Sequence, residues 1–324
     1  MKQPIRRILA ACALFAAAGV AAAQGWPTKP IKVIVPYPPG GTSDILARAL
    51  GPGMQQALGQ PWVVENKPGA TGNVGADFVA KSPADGYTVM LADIGSLAIA
   101  PSVVTSLPFD PVKDFAPVIM VAYSPHLLVV HPSVPAKDAK ELIALAKAKP
   151  DALNFAVSGT GGANHLAGID FAQRAGIKWT YIPYKGGSQA LTDMVGGQAQ
   201  VMFNGALATS QFVKDGKLRA LAVSSAKRFS AMPDIPTVAE AAGMAGFETG
   251  SYQGIVAPAG TPKDVVEKLH ATITKVLGTP EMKDRLDKAG AELRPQSSAE
   301  FGTFIRTEKD KWAKVVKESG AKFD

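Results

Sequence analysis

Along most of the chain, short apolar runs alternate with longer stretches in which apolar residues recur every three or four positions. The short runs predict strands at 31–35, 62–65, 88–92, 116–121, 126–131, 154–158, 179–183, 201–203, 218–223 and 254–257. The longer stretches predict helices at 45–58, 76–80, 136–149, 164–175, 188–196, 208–214, 238–242, 262–277, 280–288 and 298–317. Strands alternating with helices imply an α/β architecture with mostly parallel sheets. Boundary residues agree with this reading. Thr261-Pro262 places a capping hydroxyl and then proline at a helix start, with Asp264 and Glu267 in the opening turn. Ser297-Ser298-Ala299-Glu300 has the form of a capping box before the last helix. The stripe Phe301, Phe304, Ile305, Trp312, Val315 and Val316 on that helix reads as core packing.

Two strand–helix junctions share one shape. Ile31-Lys32-Val33-Ile34-Val35 runs into Pro36-Tyr37-Pro38-Pro39-Gly40-Gly41-Thr42-Ser43-Asp44. Leu153-Asn154-Phe155-Ala156-Val157 runs into Ser158-Gly159-Thr160-Gly161-Gly162-Ala163-Asn164-His165. A Gly-rich turn that opens a helix aims free backbone N–H groups at one point, at the positive end of the helix dipole. It holds an anion without a cationic side chain. Two such turns, about 120 residues apart, suggest two similar halves gripping one small anionic ligand. They are alike in shape rather than in sequence, and no repeat or low-complexity tract is present.

A third junction, Tyr181-Ile182-Pro183-Tyr184-Lys185-Gly186-Gly187-Ser188, offers an apolar wall and hydroxyl at Tyr184 and more N–H donors after it. Lys185 reads either as an anion partner or as a solvated charge. The glycine cluster from Asn66 to Gly75 reads equally as a structural connection or as a ligand contact. His165, in a first helical turn, is placed to approach a ligand, although a lone histidine there is more often structural. Asp44 reads as a cap, because a carboxylate suits the helix dipole but would repel an anion.

The N-terminus speaks to location. Lys2, Arg6 and Arg7 precede an apolar, Ala-rich stretch at 8–20, and Ala21-Ala22-Ala23 fits a small-residue cleavage site before Gln24. The stretch is too short to be a good spanning helix. Leu9-Ala10-Ala11-Cys12 also has the form of a lipoprotein cleavage box, but the apolar run before Cys12 is short and more apolar sequence follows it. Ordinary cleavage therefore fits better. It removes the one cysteine, leaving no thiol, disulfide or cysteine metal site. Three cations and no acid leave with it, so the formal charge falls from +7 to +4. That is too little and too scattered for nucleic-acid binding, and the basic run Ser225-Ala226-Lys227-Arg228 reads as a solvated face. The 301 residues that remain of the 324 suit one large domain or two of about 150.

Catalytic signatures are thin. Gly159-Thr160-Gly161-Gly162-Ala163-Asn164 starts like a dinucleotide fingerprint but has Asn where the third glycine belongs, and no Gly-Lys-Ser/Thr loop follows a strand. There is no Gly-x-Ser-x-Gly elbow and no His-Glu-x-x-His helix. His126, His131, His165 and His270 show no metal-ligand spacing. Ser158 with His165 is the single nucleophile–base pair that can be assembled, and it lacks an evident third partner. No metal or cofactor is expected, and a binding protein is favoured over a secreted enzyme acting on a carboxylate.

The same junctions also carry a family likeness. Together with Glu65-Asn66-Lys67-Pro68-Gly69-Ala70, Asp85-Gly86-Tyr87-Thr88, Gly216-Lys217-Leu218-Arg219-Ala220-Leu221-Ala222-Val223, Pro233-Asp234-Ile235-Pro236-Thr237-Val238-Ala239-Glu240 and Ala257-Pro258-Ala259-Gly260-Thr261-Pro262, they resemble the Bug-type periplasmic receptors. These are the solute-binding components of tripartite tricarboxylate transporters. The likeness covers essentially the whole exported chain in order. It implies a two-lobed type II periplasmic-binding-protein fold with a central ligand cleft. Two chain crossings, near 123–124 and 247–248, would follow a signal peptide at 1–23. They would give a discontinuous lobe one (24–124 plus 248–324) and a lobe two at 125–247.

By the same resemblance, Tyr37, Gly40, Gly41 and Thr42 from the first loop and Ser158, Gly159, Thr160 and Gly161 from the second would hold a carboxylate, helped by waters. Asp93-Ile94-Gly95-Ser96 and Asn204-Gly205-Ala206-Leu207 would shape the variable end of the pocket, with Ser96 and Asn204 as contacts. His165, Tyr184 and Lys185 complete the expected ligand-binding set. Many relatives carry Asp then Asn where this chain has Asn204 then Gly205. The change leaves the carboxylate clamp intact but opens the question of ligand identity, and an uncharged Asn204 mildly disfavours an amino-acid ligand. The implied function is capture of a small organic mono- or dicarboxylate in the periplasm by a monomer. Delivery would be to membrane transporter subunits, or else to a signalling sensor.

Overall fold

The computed structural model describes residues 25–319; the expected signal peptide, with the Cys12 box, lies outside the described residues. Two small parallel ladders make up the body of the sheet. β1 (Ile31–Val35) pairs with β2 (Trp62–Asn66) on one side and β3 (Thr88–Asp93) on the other, with α1 (Thr42–Leu58) and α2 (Asn73–Ala80) as crossovers. A π-turn at Gly95–Ile99 and the short α3 (Ala100–Val103) follow β3. In the second ladder β5 (Asn154–Val157) pairs with β6 (Thr180–Pro183) and β7 (Val201–Gly205). Here α5 (Ala163–Ala175) and α6 (Gly187–Val195) are the crossovers, and α4 (Ala139–Ala148) precedes β5.

Two long strands join the ladders into one curled sheet of ten strands among the described residues. β4 (Phe115–Val130) pairs antiparallel with β9 (Gly250–Pro258) from Phe115 to Pro125, and with β10 (Glu292–Gln296) around Met120 to Tyr123. It then pairs with β7 from His126 and with β8 (Arg219–Val223) from Leu127. β9 closes the first half by pairing with β3. The sheet is therefore mixed rather than mostly parallel. Parallel pairs lie inside each half, where helices separate neighbouring strands, and antiparallel pairs belong to the strands that connect the halves. The sequence divides β4 into two strands, whereas the structure keeps one. Tyr123, Ser124 and Pro125 stay extended because Tyr252, Ser251 and Gly250 pair with them. β10 was not foreseen, since Glu292, Arg294 and Pro295 show no alternating apolar pattern.

Each half of the sheet is covered on both faces, which is why its strands read as unbroken apolar runs. Val33 and Val35 pack with Leu46 and Leu50 of α1 and with Leu269 and Ile273 of α9 (Lys263–Leu277). Ile34 faces the other way, toward Val79 of α2 and toward Phe301 and Ile305 of α11 (Ser298–Ser319). In the second half Phe155 stacks on Trp179, which stacks on Phe171 of α5, beside α4 and α8 (Val238–Ala242). Ala156 and Met202 meet Leu191 and Met194 of α6, close to α7 (Ala206–Lys214). α10 (Pro280–Ala289) adds Met282 and Leu286 to the first core.

The two lobes touch. Ile94 and Ile99 pack with Ala163 and Leu166 at the start of α5, and Trp312 of α11 closes that cluster. The Thr71 hydroxyl donates to the Thr160 carbonyl at 3.1 Å. At the crossing, Ser124 Oγ accepts from Leu207 N at 3.0 Å and donates to Gly290 O at 3.2 Å. His126 N donates to Ser224 Oγ at 2.9 Å, and Tyr123 donates to Thr249 O at 3.0 Å.

Gly254 sits where β9 passes beneath α11, and a Cβ there would clash with the edge of the Phe301 ring. Gly254→Val overpacks this contact and should cost about 1–3 kcal/mol. Urea unfolding checks it: the midpoint should fall with the slope unchanged.

Candidate functional site

The C-terminal ends of β1, β3, β5 and β7 point into one cavity between the lobes, the position at which open α/β sheets bind ligands. Four helices, α1, α5, α6 and α7, start there. The residue before each is glycine (Gly41, Gly162, Gly186 and Gly205), and none of the four has a side-chain cap. Elsewhere Asp138 caps α4, Thr237 caps α8 and Thr279 caps α10, while α2, α3 and α9 also start without a side-chain cap. An uncapped start leaves first-turn N–H groups without a partner and exposes the positive end of the dipole. No lysine or arginine lines the cavity. Its pull on an anion therefore comes from backbone dipoles. The cavity volume is about 70 Å³.

Six of the residues expected from the sequence reach the wall: Tyr37, Gly41, Thr42, Ser158, Gly159 and Asn204. The Asn204 amide donates to Thr209 Oγ1 at 3.0 Å and is thereby fixed. The others lie off the wall, for visible reasons. Gly40 is exposed, with φ +82°, and its N–H is taken by Asp44 Oδ2 at 2.9 Å. Asp44 thus holds the turn, as its capping role implied. Burial works against its charge, but Arg48, Gly40 and Asn66 hold its carboxyl below the usual range. Ser96 is fully buried in the π-turn beyond β3. Thr160 is exposed, and its carbonyl faces Thr71.

Gly161 donates its N–H to His165 Nδ1 at 3.0 Å, so His165 braces the loop from behind while its ring meets Tyr181. Tyr184 turns toward the core under α6 and toward Asp193, and burial with that carboxylate pushes its hydroxyl up to about 12. Lys185 is exposed.

Several wall residues were not expected. Asn164 is 3% exposed, lines the cavity, and neither its Nδ2 nor its Oδ1 has a partner in the protein. A buried amide left so is costly unless a ligand pairs with it. Thr71, from the glycine cluster left open above, supplies a wall residue. His126, Ser251 and Gln253 add to the polar lining, beside Asp93 from the segment expected to shape the variable end of the pocket. Their sequence signal was a polar residue at the end of, or within, an otherwise apolar strand.

Residues 46–321 match the family described as the tripartite tricarboxylate transporter family receptor. The chain is 37% identical to protein BugT of Bordetella pertussis over 321 residues, covering 98% of each chain. It superposes on the periplasmic binding protein BugD with a TM-score of 0.88 and 34% identity, covering 92% of this chain and 99% of that one. For Rpa4515 of R. palustris with adipate the TM-score is 0.89 at 36% identity, covering 91% and 99%.

Burial lowers the pKa of both His126 and His165 to about 4. Both lie below the unfolded value of about 6.5, so between these values the unfolded chain binds more protons than the folded one. Stability from this source should be fully present above about pH 7 and be lost as pH falls from 6.5 toward 4. Thermal midpoints across that range check it, and the double change His126→Gln with His165→Gln should flatten the fall.

Proposed function

This chain belongs to the tripartite tricarboxylate transporter receptor family, and from that premise we propose that it is a periplasmic receptor that closes two lobes on a small organic carboxylate. The observation that carries the reading is the meeting of four uncapped helix starts around a cavity free of lysine and arginine that contains the unpartnered Asn164. Such a cavity suits a carboxylate, which accepts several charge-assisted N–H bonds at once. Enclosure strengthens each of them by removing water. The adipate held by the similar Rpa4515 supports the same ligand class here.

In this reading the first-turn N–H groups of α1, with the Thr42 hydroxyl, clamp one side of the carboxylate. Gly159 N–H, Ser158 Oγ and the Asn164 amide clamp the other. Asn204 and Tyr37 shape the remaining wall. The lobes are 24–124 with 248–324, and 125–247; the crossings in β4 and before β9 act as the hinge that lets the second clamp close on a ligand seated in the first. The loaded monomer, exported by means of its cleaved signal peptide, presents the ligand to membrane subunits of the transporter, or to a sensor if none is present.

An enzymatic reading is less well supported. The Nδ1 atom of His165 is engaged by the loop's own Gly161 N–H, a bracing contact rather than a nucleophile–base pair.

Thr42→Ala, Ser158→Ala and Asn164→Ala should each weaken carboxylate binding by about tenfold, the effect of losing one bond to a charged group. Calorimetry on protein stripped by unfolding and refolding reads this directly. Thermal midpoints without ligand should change little. Unchanged affinity in the Thr42→Ala, Ser158→Ala double variant would place the site elsewhere. In the parent protein, a carboxylate at 100 times its dissociation constant should add roughly 2.7 kcal/mol of stability.

A further inference from the structure

Asp93 is an acid in a cavity built for an anion. Its side chain forms part of the wall, at the end of β3, and the wall around it holds no lysine or arginine. Every contact it makes inside the protein comes from a donor. The Tyr37 hydroxyl donates to Oδ1 at 2.6 Å, Gly95 N–H donates to Oδ1 at 2.8 Å, and the Ser251 hydroxyl donates to Oδ2 at 3.2 Å.

The direction of the last bond is set by its neighbours. The Ser43 hydroxyl donates to Gln253 Oε1 at 2.8 Å, and Gln253 Nε2 donates to Ser251 Oγ, so the one Ser251 proton goes to Asp93. Three donors and no acceptor specify a carboxylate rather than a carboxylic acid. Oδ1 is filled by two donors, whereas Oδ2 has one and keeps a lone pair for the cavity. Burial raises the pKa of Asp93 because no cation offsets its charge, and the Tyr37, Gly95 and Ser251 bonds oppose that rise.

From this arrangement we infer that the ligand carries, beside its carboxylate, a hydrogen-bond donor, either a hydroxyl or an ammonium, that Asp93 Oδ2 accepts. The inference rests on the carboxylate-receptor reading and deepens it. The uncapped helix starts attract the carboxylate of such a molecule, and Asp93 repels a carboxylate at its own end while attracting a donor. A bare acid would leave the Oδ2 lone pair without a ligand donor, which lowers that acid's affinity relative to a donor-bearing one. Asn204, by contrast, is neutral, and one of its amide hydrogens is engaged by Thr209.

The test is a matched panel on the stripped full-length exported protein, measured by calorimetry. One set is propionate, 3-hydroxypropionate, β-alanine, lactate and alanine; the other is succinate, malate and aspartate, with both enantiomers wherever a compound is chiral. The expected result is a preference of about tenfold to a hundredfold for a donor-bearing member over its bare skeleton, the scale of one bond to a charged group. The hydroxyl and ammonium arms tell the two donor types apart. Asp93→Asn should weaken the donor-bearing ligand while leaving the bare acid equal or tighter, a crossing that a merely damaged site would not give.

Bare and donor-bearing acids binding alike to the parent protein, with affinity rising as pH falls, would overturn the inference. Asp93 would then be a protonated donor to the carboxylate, and the receptor reading would stand. No binding by any member would remove both. The parent panel decides the matter even if Asp93→Asn fails to fold.

Discussion

The arrangement on which the rest of this molecule depends is the decision to leave four helices uncapped at one point. A helix start has N–H groups that need partners; side chains supply them at α4, α8 and α10 but not at α2, α3 or α9, nor at α1, α5, α6 and α7, and only these last four converge on one cavity. Glycine before each of these four helices keeps side chains out of the way. The unmet donors become a site only because the strand ends bring them together. The same donors would be a liability if they faced an apolar core. Their convergence, in a wall without lysine or arginine, gives a field that favours anions while no single side chain carries the charge.

That site lies between two lobes, and the long strands supply the connection. β4 pairs with β9 and β10 on one side of Pro125 and with β7 and β8 on the other, so one continuous strand belongs to both halves. Ser124 and His126 tie neighbouring segments at the same level. The connection is thus ordered and hydrogen-bonded, and the halves also meet through the apolar cluster around Ile94, Ile99 and Leu166, the Thr71–Thr160 bond, and the packing of α7 against α1 and α10.

Much of the fold was legible because its signals are local. Periodicity located nine of the ten strands, with β4 split in two, and the helices that cover them; both-face burial explains why Ile31–Val35 reads as a solid apolar run. The glycine turns were legible because glycine has few other reasons to cluster between a strand and a helix. β10 escaped because Arg294 and Pro295 carry no pattern, and its pairing with β4 is decided by a distant segment.

By itself the sequence determined the α/β order, the two Gly-rich turns and the absence of metal-ligand spacing, since each depends on residues near one another in the chain. Only the tertiary structure decided which donors are free. Gly40 and Gly161 look as available as Gly41 and Gly159, yet Asp44 and His165 occupy their N–H groups. It also decided the polar wall. Asp93, His126, Asn164, Ser251 and Gln253 come from segments far apart, and each by itself looks like an ordinary polar residue. Their meaning comes from sharing one enclosed space, where an unpaired amide or carboxylate is costly until a ligand completes it, and no local pattern records which residues will share it.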